Sequence, residues 1–121
     1  METDTDEFLA SYIETALWSS SDDSGIPFDS AKYLDTVIAD ETIAKMAADC
    51  QKFKEACAGI IDPDLPQYPI ARDFWLTRTR RIPGFWNEDY PRAVTQELTD
   101  LARAFPECQL YLGFDGKLYL A

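Results

Sequence analysis

The sequence predicts an α+β fold, about three helices packed on one face of a small three-stranded antiparallel sheet. Two observations lead there. Apolar residues recur at intervals of three and four in three separate segments, the spacing that lines them along one stripe of a helix. At Asp73–Arg78, Phe74 and Leu76 alternate with Trp75 and Thr77, and in the tail Cys108–Leu120 leucines alternate with tyrosines; strands place successive side chains on opposite faces in this way. With 121 residues, 46% of them hydrophobic, the chain suits one domain that buries about two thirds of its unfolded surface. Within 1–121 we distinguish an acidic helical part, 1–61, from a part holding strand, helix and C-terminal hairpin, 72–121.

From Asp6, the positions Phe8, Leu9, Tyr12, Ile13, Ala16 and Leu17 form one apolar stripe, with Glu7, Ser11 and Glu14 opposite. Trp18 closes this helix, and Ser19 to Pro27 is an acidic loop around Asp22-Asp23-Ser24-Gly25. That loop lacks the alternating acids and distant Glu of a calcium site, so Asx-turn chemistry is expected. Residues 29–38 read as a short helix or helical turn around Tyr33, Leu34, Val37 and Ile38. Asp40 suits the N-cap of a long helix. There Ile43, Met46, Ala47, Cys50, Phe53, Cys57 and Ile60 face the core, and Lys45, Asp49, Lys52 and Glu55 face outward. The proline-rich run Asp62–Pro69 reads as an extended linker.

The alternation at Asp73–Arg78 reads as the central strand, and Pro83-Gly84 turns the chain before Phe85 and Trp86. Pro91 suits the first position of a third helix, with the stripe Val94, Leu98, Leu101, Ala102 and Phe105. In the tail, a three-residue loop Phe114-Asp115-Gly116 pairs Leu112 with Leu118, Tyr111 with Tyr119 and Leu110 with Leu120. That register leaves one leucine face for the core and one tyrosine face. The strand at 73–78 is expected to complete the sheet, because an isolated hairpin is marginal.

Charge is the strongest compositional signal. The net charge is −11, and residues 2–41 hold 11 acids against the single base Lys32. Such a segment repels phosphates, which argues against direct DNA binding by the acidic part and for a cationic protein surface as partner. No basic segment precedes an apolar run at the N-terminus, and no 18 apolar residues occur together, so no membrane association and a cytoplasmic location are expected. The cysteines Cys50, Cys57 and Cys108 form no CxxC pair, and the chain has no histidine. Reduced buried thiols are expected, with no metal and no cofactor. Nucleophilic catalysis usually needs an adjacent base, most often histidine. With no P-loop or dinucleotide fingerprint either, no enzymatic activity is expected.

The stretch Asp73-Phe-Trp-Leu-Thr-Arg78, followed by Gly84-Phe85-Trp86, resembles a signature of small proteins of bacteriophages and other bacterial mobile elements. Tyr12 to Trp18 and Leu110 to Tyr119 are similar to the two ends of that family. The chain departs from it at Thr79-Arg80-Arg81-Ile82-Pro83, where the family has glycines and a histidine, and at Asn87, where the family has an acid. What the resemblance implies is a setting, a phage or mobile-element accessory protein inside a bacterium.

That setting and the concentrated acidity lead to the first functional expectation. The chain would inhibit a bacterial nucleic-acid-targeting defence complex, in the manner of an anti-CRISPR protein, by placing carboxylates in a cationic DNA- or RNA-binding groove of a CRISPR effector or restriction subunit. Its candidate contacts are Glu7, Glu14, Asp22, Asp23, Asp29, Asp35, Asp40 and Glu41. The alternative is a non-catalytic interaction or regulatory module that binds through the loop 72–87, with Trp75, Arg78, Arg80, Arg81, Phe85 and Trp86 as contacts. Arginines in such a loop could clamp a phosphate, or pair with the chain's own acids.

Overall fold

A computed structural model describes residues 3–61, 67–85 and 90–121. In chain order it has α1 (Thr3–Ser19), a 3-10 turn at Ala31–Tyr33, α2 (Asp40–Cys57), α3 (Gln67–Arg78), α4 (Arg92–Arg103), β1 (Leu110–Leu112) and β2 (Leu118–Leu120). The class is α+β, with four helices and one two-stranded antiparallel sheet among the described residues.

The expected central strand is a helix. Asp73–Arg78 forms the second half of α3, and every residue from Asp73 through Thr79 is buried. A helix enclosed on all sides shows no polar stripe, and a short apolar run then reads equally as strand or helix. Gln67-Tyr68-Pro69, expected within an extended linker, makes the first turn of α3. Proline is tolerated there because the first N–H groups of a helix have no intrahelical acceptor. The rest of the linker, 62–66, lies outside the described residues.

α3 ends in a Schellman motif. The Arg80 N–H donates to the Thr77 carbonyl at 3.1 Å and the Arg81 N–H to the Leu76 carbonyl at 2.9 Å. Arg80 sits in the left-handed region at φ 63°, where glycine usually stands.

Around α3 the core is aromatic. The Phe53 ring of α2 lies flat on Phe74, centroids 4.0 Å apart and planes within 6°. Tyr12 of α1 contacts both Phe74 and Trp75, the latter edge-on at 5.3 Å. Phe105 meets Phe74 edge-to-face at 4.9 Å. These offset and T-shaped contacts suit the ring quadrupoles and add to the area buried. Trp75 is fully buried, and its indole N–H donates to Ser19 Oγ at 2.9 Å, which ties the end of α1 to α3.

The hairpin has the expected register, Leu110 opposite Leu120, Tyr111 opposite Tyr119 and Leu112 opposite Leu118. Gly116 takes φ 82°, as a three-residue loop requires at that position. The segment beside β2 is not 73–78 but residues 37–39. Leu118 donates its N–H to the Val37 carbonyl at 3.0 Å, and the Ala39 N–H donates to the Leu118 carbonyl at 3.1 Å. Ile38 thereby forms a parallel bridge to Leu118, and Thr42 Oγ1 adds a bond to the Leu118 carbonyl at 3.0 Å.

Smaller corrections follow from the same packing. Only Ala31–Tyr33 of 29–38 is helical, as a single turn. Asp40 is the first residue of α2, and the cap position belongs to Ala39. Of the leucine face, Leu110 and Leu118 reach the core, while Leu112 is 40% exposed. Asp49, expected on the outer side of α2, is buried against α3.

Candidate partner-binding face

Arg78 is an interior residue. Its Nη1 lies 2.8 Å from Asp49 Oδ2 and 3.2 Å from the Tyr12 hydroxyl, and its Nη2 donates to the Pro106 carbonyl at 2.6 Å. Burial alone would lower its pKa, but Tyr12 and Asp49 outweigh burial, and the net shift is upward. The guanidinium stays charged, and its donors already have acceptors. Arg72 is likewise engaged, its Nε 2.9 Å from Asp73 Oδ1. Arg81 Nε donates to the Ser19 carbonyl at 3.1 Å and Arg80 Nη1 to the Arg78 carbonyl at 3.2 Å, both from exposed side chains.

Of the six aromatic and arginine candidates, Trp75, Arg78 and Phe85 are therefore core residues. Phe85 packs on Phe53 and Tyr90. Trp86 lies outside the described residues. Arg80 and Arg81 remain at the surface.

The acidic candidates fare differently. Glu7, Glu14, Asp23, Asp29, Asp35, Asp40 and Glu41 are all exposed. Asp22 is committed locally: its Oδ1 accepts the N–H groups of Ser24 and Ile26, and its Oδ2 accepts the Tyr33 hydroxyl and Lys32 Nζ. These donors, the Tyr33 hydroxyl foremost, hold its carboxyl well below the usual carboxylate range. The expected Asx turn is there.

The tail hairpin brings some of these acids together. One concavity of about 430 Å³ lies between the acidic loop and β1, lined by Ser21, Asp22, Asp23, Ser24, Phe28, Tyr111 and Leu112. A second, of about 680 Å³, shares Tyr111 and Leu112 and adds Glu41, Gly113, Phe114, Asp115 and Tyr119. Phe114 stands at the loop tip, 114% exposed. Leu34 and Val37 are also exposed large apolar residues. Asp115 Oδ2 accepts the Tyr119 hydroxyl at 2.6 Å, and its Oδ1 accepts the Lys117 N–H at 3.0 Å. The Tyr119 hydroxyl bond lowers the Asp115 pKa, and Asp115 in turn pushes Tyr119 up to about 12. Asp115 is thus a carboxylate at neutral pH.

Glu7, Glu14, Asp29, Asp35 and Asp40 line neither concavity. The residues that sequence reasoning missed are Tyr111, Leu112, Phe114, Asp115 and Tyr119. Their signal was Phe114: turn loops favour Gly, Asn, Asp and Ser, so an aromatic at the tip has no turn-forming reason to be there.

The three cysteines are free thiols, Cys50 and Cys57 buried and Cys108 partly so. Burial raises the pKa of Cys50 and Cys108 and pushes Cys57 up to about 12. Among the described residues, no group of His, Cys, Asp and Glu could hold a metal ion, and no helix is long and apolar enough to cross a membrane. No family model, no curated protein and no solved structure matches the chain.

Proposed function

We propose that the chain is a non-catalytic binding protein whose acidic face occupies the cationic, nucleic-acid-holding groove of a bacterial defence complex, in the manner of an anti-CRISPR protein. One observation carries the reading: exposed Tyr111, Leu112 and Phe114 stand beside Asp22, Asp23, Glu41 and Asp115. A groove that holds phosphates does so with lysine and arginine, and carboxylates are strong alternative acceptors for both. The aromatic side chains add area that excludes water from those ion pairs, the arrangement typical of interface hot spots. The bacterial and phage setting rests on the resemblance at Asp73–Arg78 and Gly84–Trp86. The loop 72–87 is the weaker alternative, because Trp75, Arg78 and Phe85 are buried.

The test is capture of partners from bacterial lysate on the tagged chain, eluted through rising salt. A nucleic-acid-handling subunit should elute as salt screens the carboxylates, and the variant Asp23→Lys/Glu41→Lys, confirmed folded by thermal melting, should fail to retain it. Undiminished retention of that subunit by the double variant overturns the reading.

A further inference from the structure

The hairpin leaves one row of backbone groups facing outward, on the concave side of this same acidic face. In β1 and β2 the pairs Gln109–Ala121 and Gly113–Lys117 are joined by ladder hydrogen bonds, so Leu110 and Leu112 fall at the non-bonded positions between them. Their N–H and C=O groups point away from β2. On the far side of the sheet the equivalent groups of Leu118 are taken by Val37 and Ala39. On the near side, among the described residues, neither Leu110 nor Leu112 has a backbone hydrogen bond; Leu110 is buried, and the accessible part of the edge is at Leu112, 40% exposed. The space beside Tyr111 and Leu112 is the concavity of about 430 Å³ whose opposite wall carries Asp22 and Asp23. An open strand edge of this kind is a template for another strand.

We infer that the β1 edge takes an extended, basic segment of the partner polypeptide as an added strand, with lysine or arginine side chains toward Asp23 and the acidic loop and apolar side chains against Leu112. This deepens the acidic-face reading and rests on it. Main-chain bonds to the N–H and C=O of Leu112 give affinity without sequence demands, and the flanking concavities select the side chains. Charge chooses the occupant: a second copy of the chain brings a net charge of −11 to the same acidic rim, whereas a Lys/Arg-bearing strand is attracted to it.

The probe is a capped peptide with the sequence Lys-Val-Arg-Val-Lys-Val-Arg, titrated against the full chain. Two further versions carry backbone N-methyl groups on alternate residues, one set on each edge of the extended peptide. Binding of the parent should weaken with salt. One N-methylated set should bind at least about tenfold more weakly while the other stays within about twofold, since only one edge can face β1. Leu112→Pro removes an outward donor and no β1–β2 bond, and should weaken the parent peptide about tenfold with the hairpin register kept. Equal binding of both N-methylated peptides, or no saturable binding of the parent at about millimolar concentration, overturns strand addition. So does a dimer of the free chain that Leu112→Pro dissociates, because the edge would then belong to a second copy. Asp23→Lys/Glu41→Lys separates the two levels. If it binds the parent peptide as well as the unaltered chain does, the acidic-face reading fails. If it loses the peptide while both N-methylated sets bind alike, only strand addition fails.

Discussion

Arg78 Nη1 and Asp49 Oδ2 lie 2.8 Å apart inside the core, each side chain only 3% exposed. The pair joins α3 to α2, and the remaining Arg78 donors reach the Tyr12 hydroxyl on α1 and the carbonyl of Pro106 after α4. One guanidinium thus touches all four helical regions. Breaking a buried pair from one side leaves an uncompensated charge, so Asp49→Ala should lower unfolding stability by about 3–5 kcal/mol, read from urea denaturation. Asp49→Leu/Arg78→Met should cost less than that single change, because both charges go together. A remaining deficit of about 1–3 kcal/mol is expected from the unpaired Pro106 carbonyl.

The left-handed conformation of Arg80 gives a prediction of opposite sign. Its φ of 63° costs a residue with a Cβ about 1–2 kcal/mol relative to a backbone without one. The side chain is exposed, and its one hydrogen bond, to the Arg78 carbonyl, is local. Arg80→Gly should therefore raise the urea midpoint, by about 1 kcal/mol in free energy. A fall would mean that the arginine side chain contributes more than the backbone strain removes.

The helix containing Arg78 also shows where the sequence was readable and where it was not. α1, α2 and α4 each keep a solvent side, so their apolar stripes were visible at helical spacing, and the hairpin register followed from matching leucine with leucine across one glycine turn. α3 has no solvent side from Asp73 to Thr79. Its threonines and its arginine are interior residues that hydrogen-bond or pack at close range, and the pattern Phe-Trp-Leu-Thr carried no phase. A charged residue on a helix usually faces solvent; only the position of Arg78, 29 residues later, makes Asp49 a core residue. The candidate face was hidden for a similar reason. Its acids were plain in composition, but which of them meet Tyr111 and Leu112 depends on how the tail folds back beside the loop at Asp22 and Asp23.

Asp22 should govern part of the acid sensitivity. The Tyr33 hydroxyl and the Ile26 and Ser24 N–H groups hold its carboxyl below the ordinary value of 3.8. A carboxyl whose folded pKa is depressed adds stability that is fully present above the unfolded value and disappears as pH falls through the folded one. Stability should thus decline progressively below about pH 5, with Asp115, also lowered, acting in the same direction. Asp22→Asn should lower the urea midpoint at pH 6, and its deficit should narrow steadily between about pH 5 and pH 2.5 without closing, because the unfolded chain's carboxyl takes up its proton in that range while the folded one is still held ionised. Parallel curves across that range would mean that the loop is held by contacts other than this charge.

Two glycines of the hairpin loop are expected to respond differently to the same substitution. At Gly116, φ is +82° and an added Cβ would meet nothing within 4 Å, so Gly116→Ala meets only backbone strain, about 1–2 kcal/mol. At Gly113 an added Cβ would lie 2.6 Å from Cε2 and 2.8 Å from Cδ2 of the Tyr119 ring. The ring must then move, and its hydroxyl, 2.6 Å from Asp115 Oδ2, moves with it. Because Asp115 is what raises the Tyr119 pKa to about 12, Gly113→Ala should bring that value down toward the ordinary 10.0. Gly116→Ala should leave it nearly in place as long as the register holds. The measurement is an NMR titration of the Tyr119 ring in each variant. An unchanged titration in Gly113→Ala would show that the ring can step aside without leaving Asp115, and that the second concavity, which Tyr119, Asp115 and Gly113 line together, is more yielding than its close contacts imply.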